Sequence, residues 1–189
     1  MKFSQGKLVP INDDILDALY YWKYEEQNQE AKRWNGPYIK EHYVSRDNFK
    51  IEAKRNRYIS EKVERMLAII VDEKCIGSVS AYWVSKETNW LEIGIVIYDK
   101  QYWEYGIGTE VFQKWIDYLF KQNFVHRLGI STWSGNERMI RLAKHTGMVE
   151  EARIRQARQI AGTYYDAIKM GILKTEWLNN ARRKSDEIN

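Results

Sequence analysis

The sequence predicts a mixed α+β domain with a largely antiparallel sheet, on three observations. Between Arg65 and Tyr98, three apolar, β-branched runs succeed one another across short polar turns. From Gly106 to Phe120 a single apolar stripe recurs at helical spacing. Near the end, GMVEEARIRQARQI and TYYDAIKMGIL read as a further pair of strands.

Taken in order, KLVPI is a short strand, and Asp13 to Tyr24 reads as a helix with an acidic first turn and Ile15, Leu16, Leu19 and Trp22 at helical spacing. RWNGPYI carries the turn signal Asn-Gly-Pro, and a polar helix is predicted from about Arg46 to about Lys62. MLAIIV, CIGSVSAYWV and WLEIGIVIY form an antiparallel meander, turned at Asp72-Glu73-Lys74 and at SKETN. The clearest helix follows, with Ile107, Val111, Phe112, Trp115, Ile116, Leu119 and Phe120 on one face. VHRLGISTW is a strand and NERMIRLAKH a helix stopped by Gly147. The tail from Thr175 to Asn189 is polar and charged after Trp177 and is assigned no element. With no internal repeat or linker, residues 1–189 read as one domain.

Composition narrows the function classes. At 44% hydrophobic and 30% charged, with 2 Pro and 11 Gly, the chain is neither disordered nor collagenous. The net charge of +4 favours an anionic ligand but is too mild to call for nucleic acid. One cysteine, Cys75, makes neither an intrachain disulfide nor a zinc site, so no metal is expected and a reducing, cytoplasmic setting fits. The start, MKFSQGKLVPINDD, lacks the apolar core of a signal peptide, and no run has the length of a membrane span.

The segment that carries chemistry is EIGIVIYDKQYWEYGIGTE, Glu92 to Glu110, in which a strand passes through a loop into Gly106-x-Gly108 at the start of the strong helix. Glycines there allow close backbone approach, and the N–H groups of the first turn with the positive dipole end form an anion site suited to phosphate. A tight turn alone would also explain two glycines. The third glycine of a dinucleotide fingerprint is replaced by Val111, and no Gly-Lys-Ser/Thr follows as in a P-loop.

The order of elements from about Lys7 to about Leu173 resembles the GNAT superfamily of N-acetyltransferases. Trp103-Glu104-Tyr105-Gly106-Ile107-Gly108 is similar to that family's acyl-coenzyme A loop, Gln/Arg-x-x-Gly-x-Gly/Ala, and Asn136 through Gly147-Met148 to its second landmark. Tyr102-Trp103, Thr109-Glu110, the C-terminal Gly-x-Tyr-Tyr-Asp-x-x-x-Met and Glu176-Trp177 resemble the RimJ/RimL-like branch, which includes enzymes that acetylate ribosomal-protein N-termini. The resemblance implies a twisted, largely antiparallel sheet flanked by helices on both faces. It also implies acetyl-coenzyme A as co-substrate, with direct transfer to an amine in a ternary complex. Cofactor-side residues carried over are Ile95, Ile97, Trp103, Glu104, Tyr105, Gly106, Ile107, Gly108, Thr109 and Asn136. Trp34, Asn35 and Tyr38 fall on the acceptor side.

Departures from the family pattern are specific. Trp103 replaces the usual first Gln or Arg of the loop. Ala143 stands where many members carry a Tyr as acid for the departing thiol, and Met139 where a Ser is common in the branch. Amine acetylation needs a neutral nucleophile, and an α-amino group with pKa about 8 is partly protonated at neutral pH. Glu92, an acid within an apolar strand, occupies the place of the family's general base; a solvated strand face is the plainer reading of it. Asn136 serves equally as a helix N-cap. Either the thiolate leaves without a strong acid or a hydroxyl from elsewhere serves as the catalytic acid, Ser134, two residues before Asn136, ahead of Tyr164 and Tyr165. The acceptor is a protein N-terminus or a small amine, and the protein a monomer or homodimer. Two alternatives stay open: a coenzyme A binding module without catalysis, permitted by Ala143, and a basic nucleic-acid binder suggested only by charge and Arg182-Arg183-Lys184.

Overall fold

A computed structural model describes residues 1–186, with side chains described for 1–180. By its contacts the chain divides into two compact units, and the division points fall inside two strands and one helix.

The first unit takes Met1–Tyr82 and Gly94–Lys114. It holds β1 (Lys2–Phe3), β2 (Gly6–Pro10), α1 (Asp13–Tyr20), α2 (Arg46–Arg55), β3 (Tyr58–Ser60), β4 (Val63–Glu64), β5 (Met66–Val71) and most of β6 (Lys74–Ser85). It also holds the second half of β7 (Trp90–Ile97) and the first half of α3 (Ile107–Phe120). Strands β1, β2, β5 and β6 hydrogen-bond in that order, each pair antiparallel. The β5–β6 turn has both central residues, Asp72 and Glu73, at positive φ (48° and 58°), the backbone that a two-residue hairpin requires. Strand β5 is apolar throughout because Leu67 to Val71 are all buried, with Leu8, Ile76 and Val79 beside them in the core of this unit.

The second unit takes Trp83–Ile93 and the chain from Trp115 onward. It contains β8 (Arg127–Trp133), α4 (Glu137–His145), β9 (Val149–Ile160), β10 (Thr163–Leu173) and α5 (Lys174–Asp186). Here the order is β7, β8, β10, β9. The pairing of β7 with β8 is parallel, Trp90 opposite Arg127 and Glu92 opposite Gly129, and the rest is antiparallel. A parallel neighbour needs a crossover connection, which α3 supplies. All seven residues of the predicted α3 stripe are buried. β9 is exposed along nearly its whole length, ends the strand order, and carries a bulge where Gln156 takes φ 53°.

Three expectations are corrected, and β1 is an element that the sequence does not predict. The first helix stops at Tyr20 and continues as a π-turn, Tyr21–Glu25, which frees the Trp22 indole to donate to the Cys75 carbonyl at 2.8 Å. The second ends at Arg55 rather than Lys62, because Tyr58–Ser60 and Val63–Glu64 pair as a hairpin whose turn puts Glu61 at φ 42°. The tail without an assigned element is α5, anchored where the Trp177 indole donates to Asp117 at 2.7 Å and its ring lies against Phe120.

Candidate active site

The glycine turn lies in the first unit and is built from both sides. Before it, Asp99 caps a short 3-10 turn by accepting the Gln101 N–H, and the Trp103 indole donates to the Ile97 carbonyl at 2.8 Å. Trp103 therefore ties the loop to the end of β7, a use of the side chain that the sequence did not disclose. Glu104 and Gly106 both adopt positive φ, 71° and 76°. The N–H groups of Thr109 and Glu110 fold onto the Gly106 carbonyl at 3.1 and 3.2 Å, opening α3. Gln5 donates to the Tyr105 carbonyl, and the Glu110 carboxylate accepts the Ser4 N–H at 2.9 Å, so the N-terminal turn braces the loop. The Tyr105 side chain faces solvent.

Above the two glycines there is room. A Cβ added at Gly106 would meet nothing within 4 Å, and one at Gly108 only Ile97 Cδ1 at 3.7 Å. Protein packing therefore does not require glycine at either place, although the φ of Gly106 does favour it. An open floor at the N-terminus of a 14-residue helix suits the approach of a phosphate-bearing chain to the backbone N–H groups of Gly106, Ile107 and Gly108, with the Thr109 hydroxyl, whose N–H already serves the Gly106 carbonyl, as a further donor. Ile95 and Ile97 are half-buried, and the backbone of that stretch is held close to β6 by Gly77, where a Cβ would come within 2.2 Å of the Val96 carbonyl oxygen. The residues present fit a coenzyme A diphosphate.

Glu92 lies in the second unit and is not on a solvated face. Its side chain is 3% exposed, and its Oε1 accepts Lys169 Nζ at 2.6 Å while Oε2 accepts the Ser131 hydroxyl at 2.6 Å. Lys169 also donates to Ser131 Oγ. The sheet register produces this group: Ser131 stands directly opposite Lys169 across β8 and β10, and Glu92 is level with Gly129, two residues before Ser131. Gly129 presents no side chain between them. Neither Ser131 nor Lys169 was singled out in the sequence; the only available signal was an isolated Lys among the apolar residues of IKMGIL.

Ser134 and Asn136 sit at the end of β8, also in the second unit. The Ser134 N–H donates to the Asp166 carbonyl at 2.9 Å and its hydroxyl accepts the Asp166 N–H at 3.0 Å, which extends the β8–β10 ladder by one step. Asn136 caps α4, its side chain accepting the Met139 N–H at 3.1 Å. Ala143 is fully buried and Met139 half-buried. Tyr165 packs edge-on against Trp133, and Tyr164 is exposed. Trp34, Asn35 and Tyr38 belong to the first unit, around the Gly36 turn; Trp34 and Tyr38 are half-buried and Asn35 is exposed. Five acids of that region pair with cations, Asp17 with Lys50 and Arg46, Glu25 with Arg46, Glu30 with Lys100, Glu41 with Lys32 and Asp13 with Lys54, while Asp14, Asp47 and Glu52 are exposed. The Lys50 and Arg46 bonds hold the Asp17 carboxyl below its ordinary pKa.

Comparison with known proteins places this geometry. Residues 7–149 match the family described as "Acetyltransferase (GNAT) domain". The chain is 28% identical over 109 residues to the Bacillus subtilis protein named "Putative ribosomal N-acetyltransferase YdaF", a match that spans 58% of this chain and 59% of that protein's length. It is 27% identical over 141 residues to "Uncharacterized N-acetyltransferase YnaD" of the same organism, covering 74% and 81% of the two chains. Among solved structures, spermidine N-acetyltransferase from Vibrio cholerae in complex with CoA and spermine superposes with a TM-score of 0.76 at 21% identity, over 93% of this chain and 99% of that one. A GNAT-family acetyltransferase from Bacillus anthracis gives 0.70 at 15% identity, over 93% and 98%. These structural likenesses speak for the fold. The family match covers well over half of the chain, from β2 through the glycine turn to the start of β9, and the chain belongs to the GNAT acetyltransferase family.

Proposed function

We propose that this chain is an acetyl-coenzyme A dependent N-acetyltransferase acting on a primary amine, with a protein N-terminus as the acceptor, in the manner of the RimJ/RimL-like branch. The observation that carries the reading is the open floor above Gly106 and Gly108 at the start of α3. Acetyl-coenzyme A supplies an activated thioester when bound. The N–H groups at the start of α3 would hold the diphosphate, the backbone of Ile95 to Ile97 would receive the acyl arm, and Asn136 would add a contact besides capping α4. Glu92 receives, through its neighbours, the proton that the amine must lose. No side chain at 139 or 143 donates to the thiolate, which leaves as a tolerable leaving group with pKa about 8.5, as for a cysteine thiol.

A singly charged acceptor is favoured over a polyamine by the likeness to the RimJ/RimL-like branch and to the relative named as a ribosomal N-acetyltransferase. A polycation gains affinity from unpaired carboxylates, and around α1 and α2 Asp13, Asp17, Glu25, Glu30 and Glu41 are already engaged by cations, which leaves Asp14, Asp47 and Glu52 to meet one. The test is purified protein with acetyl-coenzyme A and a panel of N-terminal peptides, spermidine and amino acids, reading free thiol. Thiol release with peptides above that with spermidine is expected. Preference for spermidine would overturn the acceptor assignment. Coenzyme A binding with no transfer to any amine would leave the non-catalytic binding module, which the buried Ala143 permits.

A further inference from the structure

We propose that Ser131 is the group through which the acceptor amine loses its proton to Glu92, and that Lys169 is the positioning residue that sets the Ser131 hydroxyl for this. The inference rests on the N-acetyltransferase reading and deepens it.

Burial is the starting point. The Glu92 side chain is 3% exposed, so it cannot meet an acceptor directly, whereas Ser131 is exposed and Lys169 is 44% exposed. A serine hydroxyl has one proton and two lone pairs. Its proton goes to Glu92 Oε2 at 2.6 Å, and Lys169 Nζ donates to one lone pair while its other bond goes to Glu92 Oε1 at 2.6 Å. The second lone pair is left over by these two bonds, on a residue that is exposed. Lys169 thus fixes the direction of the hydroxyl: with one lone pair engaged and the proton aimed at a carboxylate, the oxygen presents an acceptor to an incoming N–H.

The balance is as follows. The amine lone pair forms the new N–C bond to the acetyl carbon, the C–S bond breaks, and its electron pair leaves on sulfur as thiolate. The surplus proton on nitrogen passes to Ser131 Oγ while the Ser131 O–H proton passes to Glu92 Oε2. Ser131 ends unchanged, and Glu92 carries one proton that it later gives to water. Lys169 keeps its protons throughout. A purely structural ion pair would tie β7, β8 and β10 together equally well, so the test has to separate the two roles.

Ser131→Thr and Ser131→Val differ only in a hydroxyl against a methyl, and both suit an exposed strand position. With acetyl-coenzyme A and a short peptide bearing a free N-terminus, the Thr variant is expected to keep kcat within about 3-fold, and the Val variant to lose about 100-fold at pH 7, the low end of general-base help. That gap should narrow towards pH 9, while coenzyme A affinity by calorimetry and Tm stay equal between the two. Lys169→Met should move the acid limb of the kcat/KM profile to higher pH, since a carboxylate that loses its cation binds a proton more readily. In the ligand-free protein the Lys169 ammonium should give an exchange-protected 1H–15N NMR signal that Glu92→Gln removes. Equal turnover of the Thr and Val variants across pH, in a protein whose wild type is active, overturns the relay alone. So does a Val variant that loses Tm or coenzyme A binding together with turnover. A wild type that acetylates none of the amines overturns the relay and the parent reading together.

Discussion

Gly108→Ala is expected to stabilise the protein while weakening its hold on coenzyme A, two effects of opposite sign from one methyl group. The added Cβ meets only Ile97 Cδ1 at 3.7 Å, an ordinary contact, and Gly108 lies within α3 at a backbone conformation any residue adopts. Replacing glycine at such a site restricts the unfolded chain and gains about 0.4–1 kcal/mol. For a chain of this length that raises Tm by about 1–4 °C. The same methyl occupies the floor over which a diphosphate must come within hydrogen-bond range of the first-turn N–H groups. A hydrogen bond to a charged group contributes about 1.5–3 kcal/mol, so losing one lowers affinity about 10- to 100-fold. Calorimetry with coenzyme A at two salt concentrations and a thermal melt give both quantities, and binding to the wild type should weaken as salt rises. Gly106→Ala supplies the contrast: it too meets nothing, but its φ of 76° makes the substitution cost about 1–2 kcal/mol. A stabilised Gly108→Ala protein that binds coenzyme A as tightly as wild type would refute the placement of the diphosphate.

Two further outcomes are expected. Asn136→Ala should lose about 1 kcal/mol with its cap while Asn136→Ser keeps stability, so a Ser variant with restored Tm but reduced coenzyme A affinity isolates a ligand contact, and full recovery of affinity removes it. Burial pushes the Cys75 thiol up to about 11, with the Gly77 carbonyl close by. Its folded-state pKa is thus raised, so above about pH 9 the unfolded chain releases a proton that the folded one keeps, and stability falls as pH rises towards 11. Urea unfolding at pH 8, 9.5 and 10.5 should show a shallower fall for Cys75→Ala. Tyr20 and Tyr98, each raised to about 12, keep part of the slope, and identical slopes for variant and wild type would exclude Cys75 from it.

What could be read beforehand followed from local pattern. The α3 stripe, the Asp72-Glu73 turn and the Asn136 cap are each specified within a few residues, and each stands where the sequence put it. Glu92 drew attention because an acid in an apolar strand is conspicuous. Its partners lie 39 and 77 residues further on, and only the register of three strands brings them together. A Lys on a strand reads as a solvated residue until its neighbours are known. The polar composition of α5 hid a helix that the Trp177 indole ties to Asp117, and the end of α2 was misread because Ser60-Glu61-Lys62 turns the chain without glycine or proline. Trp103 looked like a lost ligand contact, and its bond to Ile97 shows the side chain serving the loop itself.

Strand β9 offers twelve residues of backbone at the end of the strand order, a length at which open edges ordinarily recruit other chains. Two features work against this. The bulge at Gln156, whose N–H turns inward to Asp166 at 3.0 Å, breaks the run of evenly spaced groups into two short stretches. Guanidinium groups stud the strand at Arg153, Arg155 and Arg158, and a second copy laid antiparallel with Arg155 opposite Gln156 would set Arg153 opposite Arg158, a like-charge pairing that opposes zippering in that register. Neutralising those three arginines while leaving the bulge intact would expose how much of the protein's behaviour in concentrated solution rests on repulsion at a single margin.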